Sequence, residues 1–312
     1  MLNVIAKVSM LSVLLVIVLT VNGQSQTSFE RRLDSLYVIA SSAEIHYQDE
    51  REPAMDAIAA QGARAVPYLV DKFATRSAWE KWTVFWILQR IDSLAVPGLI
   101  DGLDQPDHMV VARVCWTLGD IGHPTAVEPL IGVCQNKAWQ VRDEAIRALG
   151  RIGNDEAADM VVSALQDTIG QVRKSAVVAC GQLQTNDAVT ELVHTLGDEF
   201  YGARLMAVNS LLQLDTVTVV QVLADSLNSA NEQLSDLACQ VLGEIGTDDA
   251  MVLLLGQTAS SDPDRRAHAA VALVKADPLD NCGFRQNYYD DETDRLVRLK
   301  IEAAIDLAND EE

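Results

Sequence analysis

Residues 95–187 read AVPGLIDGLDQPDHMVVARVCWTLGDIGHPT (95–125), AVEPLIGVCQNKAWQVRDEAIRALGRIGNDE (126–156) and AADMVVSALQDTIGQVRKSAVVACGQLQTND (157–187), three segments that align without a gap at a period of 31. Further copies begin at Ala188, Val219 and Ala250. An earlier one begins at Ala65 and is one residue shorter, the loss falling in its closing turn IDSL. Self-similarity at such a period is the mark of a repeat architecture, in which each unit is one small motif stacked on the next.

Read in columns, the period has physical content. One column holds Leu69, Leu99, Leu130, Val161, Leu192, Leu223 and Leu254, and a later one Val84, Val114, Ala145, Ala176, Ala207, Ala238 and Ala269. The first predicts an anchor on one helix; the second predicts a small side chain where neighbouring helices approach closely. A third column, Leu88, Leu118, Leu149, Cys180, Leu211, Leu242 and Leu273, is followed three positions on by Ile91, Ile121, Ile152, Leu183, Leu214, Ile245 and Ala276. Spacings of i, i+4 and i+7 place these on one apolar stripe of a second helix. Polar turns such as DQPD (104–107) and SSDPD (260–264) separate the helices, since Asp and Pro favour a turn and a helix start. Two helices in so short a unit cannot bury their stripes alone and must stack.

Composition agrees. Of 312 residues 49% are apolar but only 5% aromatic, which favours small residues packing helix on helix. Against 45 acidic side chains stand 24 basic ones, a formal charge of -21. A surface this negative repels phosphate backbones and anionic headgroups, so nucleic-acid binding and membrane-surface binding are disfavoured.

The pattern VRxxAxxALGxIG, as in VRDEAIRALGRIG from Val141, resembles the short HEAT-like repeat first associated with phycobilisome lyases. The resemblance spans residues 65–277 and extends more weakly over 34–64 through AMDAIAAQGA (54–63). It implies an all-α, right-handed α-solenoid of stacked antiparallel helix pairs, with the second helices lining a concave face. It implies no single function, because such repeats occur in scaffolds, regulators and a few enzymes. The expected organisation is a leader at 1–23, an N-terminal cap with a degenerate first repeat at 24–64, seven repeats at 65–278, and an irregular loop with a C-terminal capping helix at 279–312.

The leader reads MLNVIAKVSMLSVLLVIVLTVNG. Lys7 precedes a charge-free apolar run from Val8 to Val21, and Val21-Asn22-Gly23 suits cleavage before Gln24. A signal peptide, and hence a periplasmic or extracellular protein, is expected; the alternative is an uncleaved N-terminal membrane anchor.

Little else points to chemistry. Cys115, Cys134, Cys180 and Cys239 fall in apolar columns and read as small core residues, while Cys282 lies in the non-repetitive loop DPLDNCGFRQNYY (277–289) as a candidate accessible thiol. No CxxC occurs. His46, His108, His123, His194 and His268 are scattered and none precedes Glu, so the repeated His-Glu pairs that hold iron in the similar deoxyhypusine hydroxylases are missing. HExxH, GxSxG, the P-loop and GxGxxG are absent too. No catalytic residue, cofactor or metal is expected. The acidic runs YQDERE (47–52) and YYDDETD (288–294) lack the ligand spacing of a calcium loop and read as solvated charge. Arg142, Arg173, Arg204 and Arg266 share one column and predict a structural ladder to Asp or backbone carbonyls.

The tryptophans are the exception. Trp79, Trp82 and Trp86 lie at i, i+3 and i+7, on one helical face. In other repeats the Trp79 and Trp82 columns are mostly polar or small, and the Trp86 column, which includes Trp116, is mixed. These four therefore look like additions to the repeat. One reading makes them an exposed partner-binding surface; the other folds an N-terminal segment with Leu36, Tyr37 and Ile39 over them as a cap. The function expected is an exported, non-enzymatic scaffold that binds a protein or peptide, with its acidity favouring a basic one. The alternative is a lyase-like or other enzyme built on the same repeats.

Overall fold

The computed structural model describes residues 28–44, 47–277, 289 and 292–310. The leader, His46, Cys282 and most of the loop that holds it lie outside the described residues. Those described are helical, with no β-strand among them, and fall in two compact units, Met1–Ala126 and Val127–Glu312.

The first unit holds a helix over residues 28–40 (α1), then α2 (Arg51–Ala59), α3 (Val66–Lys72), α4 (Ala78–Ile91), α5 (Val96–Asp101) and α6 (His108–Ile121). The second holds α7 (Val127–Val133), α8 (Trp139–Ile152), α9 (Ala158–Ser163), α10 (Gly170–Leu183), α11 (Val189–Thr195), α12 (Tyr201–Leu211), α13 (Thr216–Ser226), α14 (Glu232–Ile245), α15 (Asp248–Gln257), α16 (Pro263–Ala276) and α17 (Arg295–Asp310). Odd-numbered helices from α3 to α15 are the first helices of the repeats and even-numbered ones from α4 to α16 the second.

Local sequence explains the boundaries. Pro67 and Pro97 sit in the first turns of α3 and α5, where no backbone donor is lost. Asp107, Asn231 and Asp262 cap α6, α14 and α16 by accepting from backbone N–H groups within the first turn. Gly122, Gly153 and Gly246 end α6, α8 and α14 in the left-handed region, with φ of 73°, 71° and 62°. In the same column Asp92 and Gln184 adopt φ of 57° and 52° with a side chain present.

All members of the Leu69 column and of the Val84 column are fully buried, and those of the Leu88 column are at most 1% exposed. Each such Leu contributes about 1.5–3 kcal/mol by leaving water. Only Ile91 and Leu214 of the fourth column are buried; the rest sit at helix ends and stay half-exposed. A close approach of second helices is found outside the small column, at a glycine. At Gly150 of α8 an added Cβ would lie 2.8 Å from the Ala179 Cβ and 2.9 Å from the Ala179 Cα of α10, so the two helices meet nearly backbone to backbone.

In the second unit the arginine column forms the expected ladder. Arg142 donates Nε and Nη2 to Asp167 at 2.7 and 2.8 Å and Nη1 to the Asn136 carbonyl at 2.9 Å. Arg173 repeats this with Asp198 at 2.7 Å twice and the Asp167 carbonyl at 2.8 Å. Each guanidinium thus ties the turn of its own repeat to that of the next. Arg204 bonds only the Asp198 and Glu199 carbonyls, the next position of the column is Ser235, and the ladder resumes where Arg266 donates to Glu292 at 2.9 and 3.3 Å. Glu292 precedes α17, which packs on α16 through the buried Val297 and Ile301 as a further second helix would.

Two consequences are measurable. Gln184→Gly is expected to raise stability by about 1 kcal/mol, because a left-handed L-residue costs about 1–2 kcal/mol and the greater unfolded-state freedom of Gly offsets part of that; a urea midpoint that falls instead would show that the Gln side chain holds the turn. Burial alone would raise the Asp198 carboxyl, but the Arg173 and Phe200 N–H hydrogen bonds and the Arg173 and Arg204 charges hold it below the ordinary carboxylate value. Its stabilisation is therefore complete above the unfolded value of about 3.9 and is lost as pH falls through the depressed folded one. Asp198→Asn should cost about 3 kcal/mol at neutral pH by leaving the buried Arg173 with only the exposed Glu199 carboxylate, at 3.4 Å, as a counter-charge, and the gap from wild type in urea titrations should narrow only below about pH 4.

Candidate interaction surface

α4 begins in a tight polar cap. The Ser77 hydroxyl accepts from the Glu80 N–H at 3.3 Å, and the Thr75 hydroxyl accepts from the Ser77 N–H at 3.1 Å while donating to the Glu80 carboxylate. This fixes the rotation of the helix from its first turn. Thr83, Val84, Phe85, Ile87, Leu88 and Ile91 then face inward. Trp79, Trp82 and Trp86 are left on the opposite side, 38%, 44% and 36% exposed.

The rings touch one another. Trp82 and Trp86 lie near-parallel with centroids 6.0 Å apart, Trp79 meets Trp86 edge-on at 5.5 Å, and Trp82 meets Trp116 of α6 edge-on at 5.2 Å. Trp116 is half-buried because it stacks flat on Phe85 at 4.2 Å. The four predicted residues are therefore brought together as one continuous aromatic surface in the first unit. Such contacts hold the rings in place at about 0.5–1.5 kcal/mol per pair beyond burial.

The buried Phe85, which carries no mark of function in the sequence, props the surface from below. The rim comes from α2, which packs beside α4: the Arg51 guanidinium stands 5.6 Å from the Trp79 centroid, and Arg90 pairs with Glu52 and with Asp56, the latter at 3.0 Å, while reaching the Trp86 carbonyl. Glu52, Trp86, Gln89 and Arg90 line a shallow hollow beside the rings.

Of the residues named for a cap, Tyr37 has defined partners. Tyr37 of α1 is buried, but its ring meets Tyr68 edge-on at 6.1 Å and its hydroxyl donates to the Glu80 carbonyl at 3.4 Å. Tyr68 and Lys72 of α3 both bond Asp34, at 2.8 and 2.9 Å. Burial pushes the Tyr37 and Tyr68 hydroxyls far above their usual range, so both stay neutral. α1 is thus fastened to α3 and, through the Tyr37 hydroxyl, to the first turn of α4.

The four described cysteines are buried, as their columns indicated, and burial pushes the thiols of Cys134, Cys180 and Cys239 up to about 12. Burial thus disfavours the thiolate at these three positions. Among the described residues no three His, Cys, Asp or Glu side chains group as they would to hold a metal ion. Trp139, in the second unit, is also exposed, at 39%; at the very start of α8 it carried no helical spacing to mark it.

The profile of HEAT repeats matches residues 96–179 and 161–236. No curated protein sequence matches the chain. Among solved structures, the chain is similar to YibA of Escherichia coli at 17% identity, covering 86% of this chain and 98% of that one with a TM-score of 0.48. It is also similar to the complex of CpcE and CpcF of phycocyanin lyase from a Nostoc species (17% identity, 78% and 94% covered, TM-score 0.41) and to human deoxyhypusine hydroxylase in complex with glycerol (19%, 80% and 97%, TM-score 0.36). At these levels none of the three bears on activity. The repeat match and the helix pairs agree: the chain carries HEAT repeats and is an all-α solenoid.

Proposed function

We propose that this HEAT-repeat chain is an exported, non-enzymatic scaffold that binds a protein or peptide through Trp79, Trp82, Trp86 and Trp116. The observation that carries the reading is the exposure of three tryptophans whose rings pack on one another. Isolated in water, such rings bury their area poorly; held rigid, they offer a large apolar contact at little entropic cost, as binding hot spots do. The formal charge of -21 favours a basic partner by steering its approach. Export rests on the apolar run of residues 8–21 behind Lys7 and is read by N-terminal sequencing of the protein from its native host, where the mature chain should begin at Gln24 and an intact Met1 would leave an anchor.

Binding is tested by selecting peptides from a displayed random library on the full-length chain and on its Trp82→Ala/Trp86→Ala variant. The wild type should enrich peptides that pair apolar with basic residues, and the variant should bind them about tenfold or more weakly. Acrylamide should quench wild-type tryptophan emission readily, and the variant should lose much of the quenchable part while its urea stability falls by less than about 2 kcal/mol. Absence of any saturable peptide, or affinity unchanged in the variant, would remove the proposal. Shielded emission with a stability loss typical of truncated core aromatics, about 3–5 kcal/mol, would make the cluster packing instead.

A further inference from the structure

Two of the repeat positions that carry tryptophans in the first unit each carry one cation in the second. Arg147 of α8 shares a column with Trp86 and Trp116, and Lys174 of α10 shares one with Trp82. Between these two second helices lies a hollow of about 270 Å³, lined by Arg147, Arg151, Lys174, Ser175, Val178 and Gln182.

Its centre is held in place from beneath. Arg147 donates Nε to the Ser175 hydroxyl at 3.0 Å, and its Nη2 lies 3.5 Å from Asp143. The buried Ser175 hydroxyl in turn donates to Asp143 at 2.6 Å. These contacts use one edge of the guanidinium and leave Nη1 without a hydrogen bond, on a side chain 40% exposed. The Lys174 ammonium makes no hydrogen bond or ion pair with any described residue. Asp143 and the half-buried Glu144 are the facing carboxylates; Asp143 is taken up by Ser175 and Arg147, and burial raises Glu144 despite the Arg147 and Arg151 charges. With Asp143 taken up, the donors left open to the hollow are Arg147 Nη1 and the Lys174 ammonium, on a chain that is otherwise strongly acidic.

We propose that this hollow binds a carboxylate, presented by an acidic side chain of a peptide. Arg147 Nη1 and the Lys174 ammonium donate to its oxygens, and the Gln182 amide and Val178 bracket its short apolar stem. An oriented guanidinium edge beside a mobile ammonium suits a small planar anion. Polyanions are kept off by the net charge, whereas a single carboxylate on a neutral peptide feels mainly the local cations, because salt screens charges beyond about 8–10 Å. The inference does not depend on the tryptophan surface, which lies in the other unit.

The test is a low-salt titration of the full-length, isotope-labelled chain with acetyl-Gly-Glu-Gly-amide, followed by amide chemical shifts. The Gln counterpart of the peptide and sodium phosphate serve as separate arms. Saturable shifts at Ser175, Val178 and Gln182 are expected with the Glu peptide and none with the Gln peptide. Lys174→Gln should weaken binding about tenfold, as loss of one charge-assisted hydrogen bond does. Because Lys174 holds nothing else, that variant keeps its fold, whereas Arg147→Gln frees a buried carboxylate and serves only as a second check. No saturable shift, or one that Lys174→Gln leaves unchanged, would overturn the site. Phosphate binding as tight as the Glu peptide or tighter would overturn the assignment to a carboxylate.

Discussion

The near-contact of neighbouring second helices is the constraint on which the rest depends. A pair of helices some thirty residues long has too little interior to bury its own stripe, so each repeat borrows its core from the next. That is possible only where side chains are short enough to let backbones approach, as at Gly150 and Ala179. Long side chains of the second helices are then turned away from that contact. In the first unit Trp79, Trp82 and Trp86 reach solvent in this way, and in the second Arg147 and Lys174 line a hollow between α8 and α10.

This explains how much was legible beforehand. A residue repeated at one position in seven units is selected by an environment repeated seven times, so Leu69, Val84 and their counterparts could be placed inside without a structure. The exposure of Trp79 was legible by the inverse logic, since its column mostly holds Gln, Gly or Asp elsewhere; that of Trp82 was not, because Ala112, Asp143 and Ala267 of its column are buried. What escaped was contact running diagonally between columns. The flat stack of Phe85 on Trp116 joins two columns in adjacent repeats, as does the pairing of Arg147 with Ser175. Glu292 escaped for another reason: the period has lapsed before it, yet it supplies the carboxylate that the last arginine of the ladder needs.

Charge acts here on two scales. The excess of acidic residues sets a diffuse field that decides which classes of molecule approach at all. Within a few ångströms, individual pairs override that field: Arg173 and Asp198 are both nearly buried and each fulfils the other's hydrogen bonds, and Arg147 stands over Asp143 and Ser175 with an edge to spare. Net charge alone would have described the protein as uniformly repellent to anions.

The gap in the arginine ladder makes the second unit mechanically uneven. Arg142 and Arg173 clip successive turns together, and Arg266 clips the last repeat to the segment before α17, but between the Arg204 repeat and the next the arginine clip is replaced by a single neutral hydrogen bond from the Asn231 amide to the Gly197 carbonyl at 3.2 Å. At the same place α12 is cut short at eleven residues and meets α14 only sparsely. In a chain where each repeat leans only on its neighbours, cooperativity is no stronger than its weakest junction. Tension or heat would part this unit at the seam between α12 and α14, leaving a clipped block on either side.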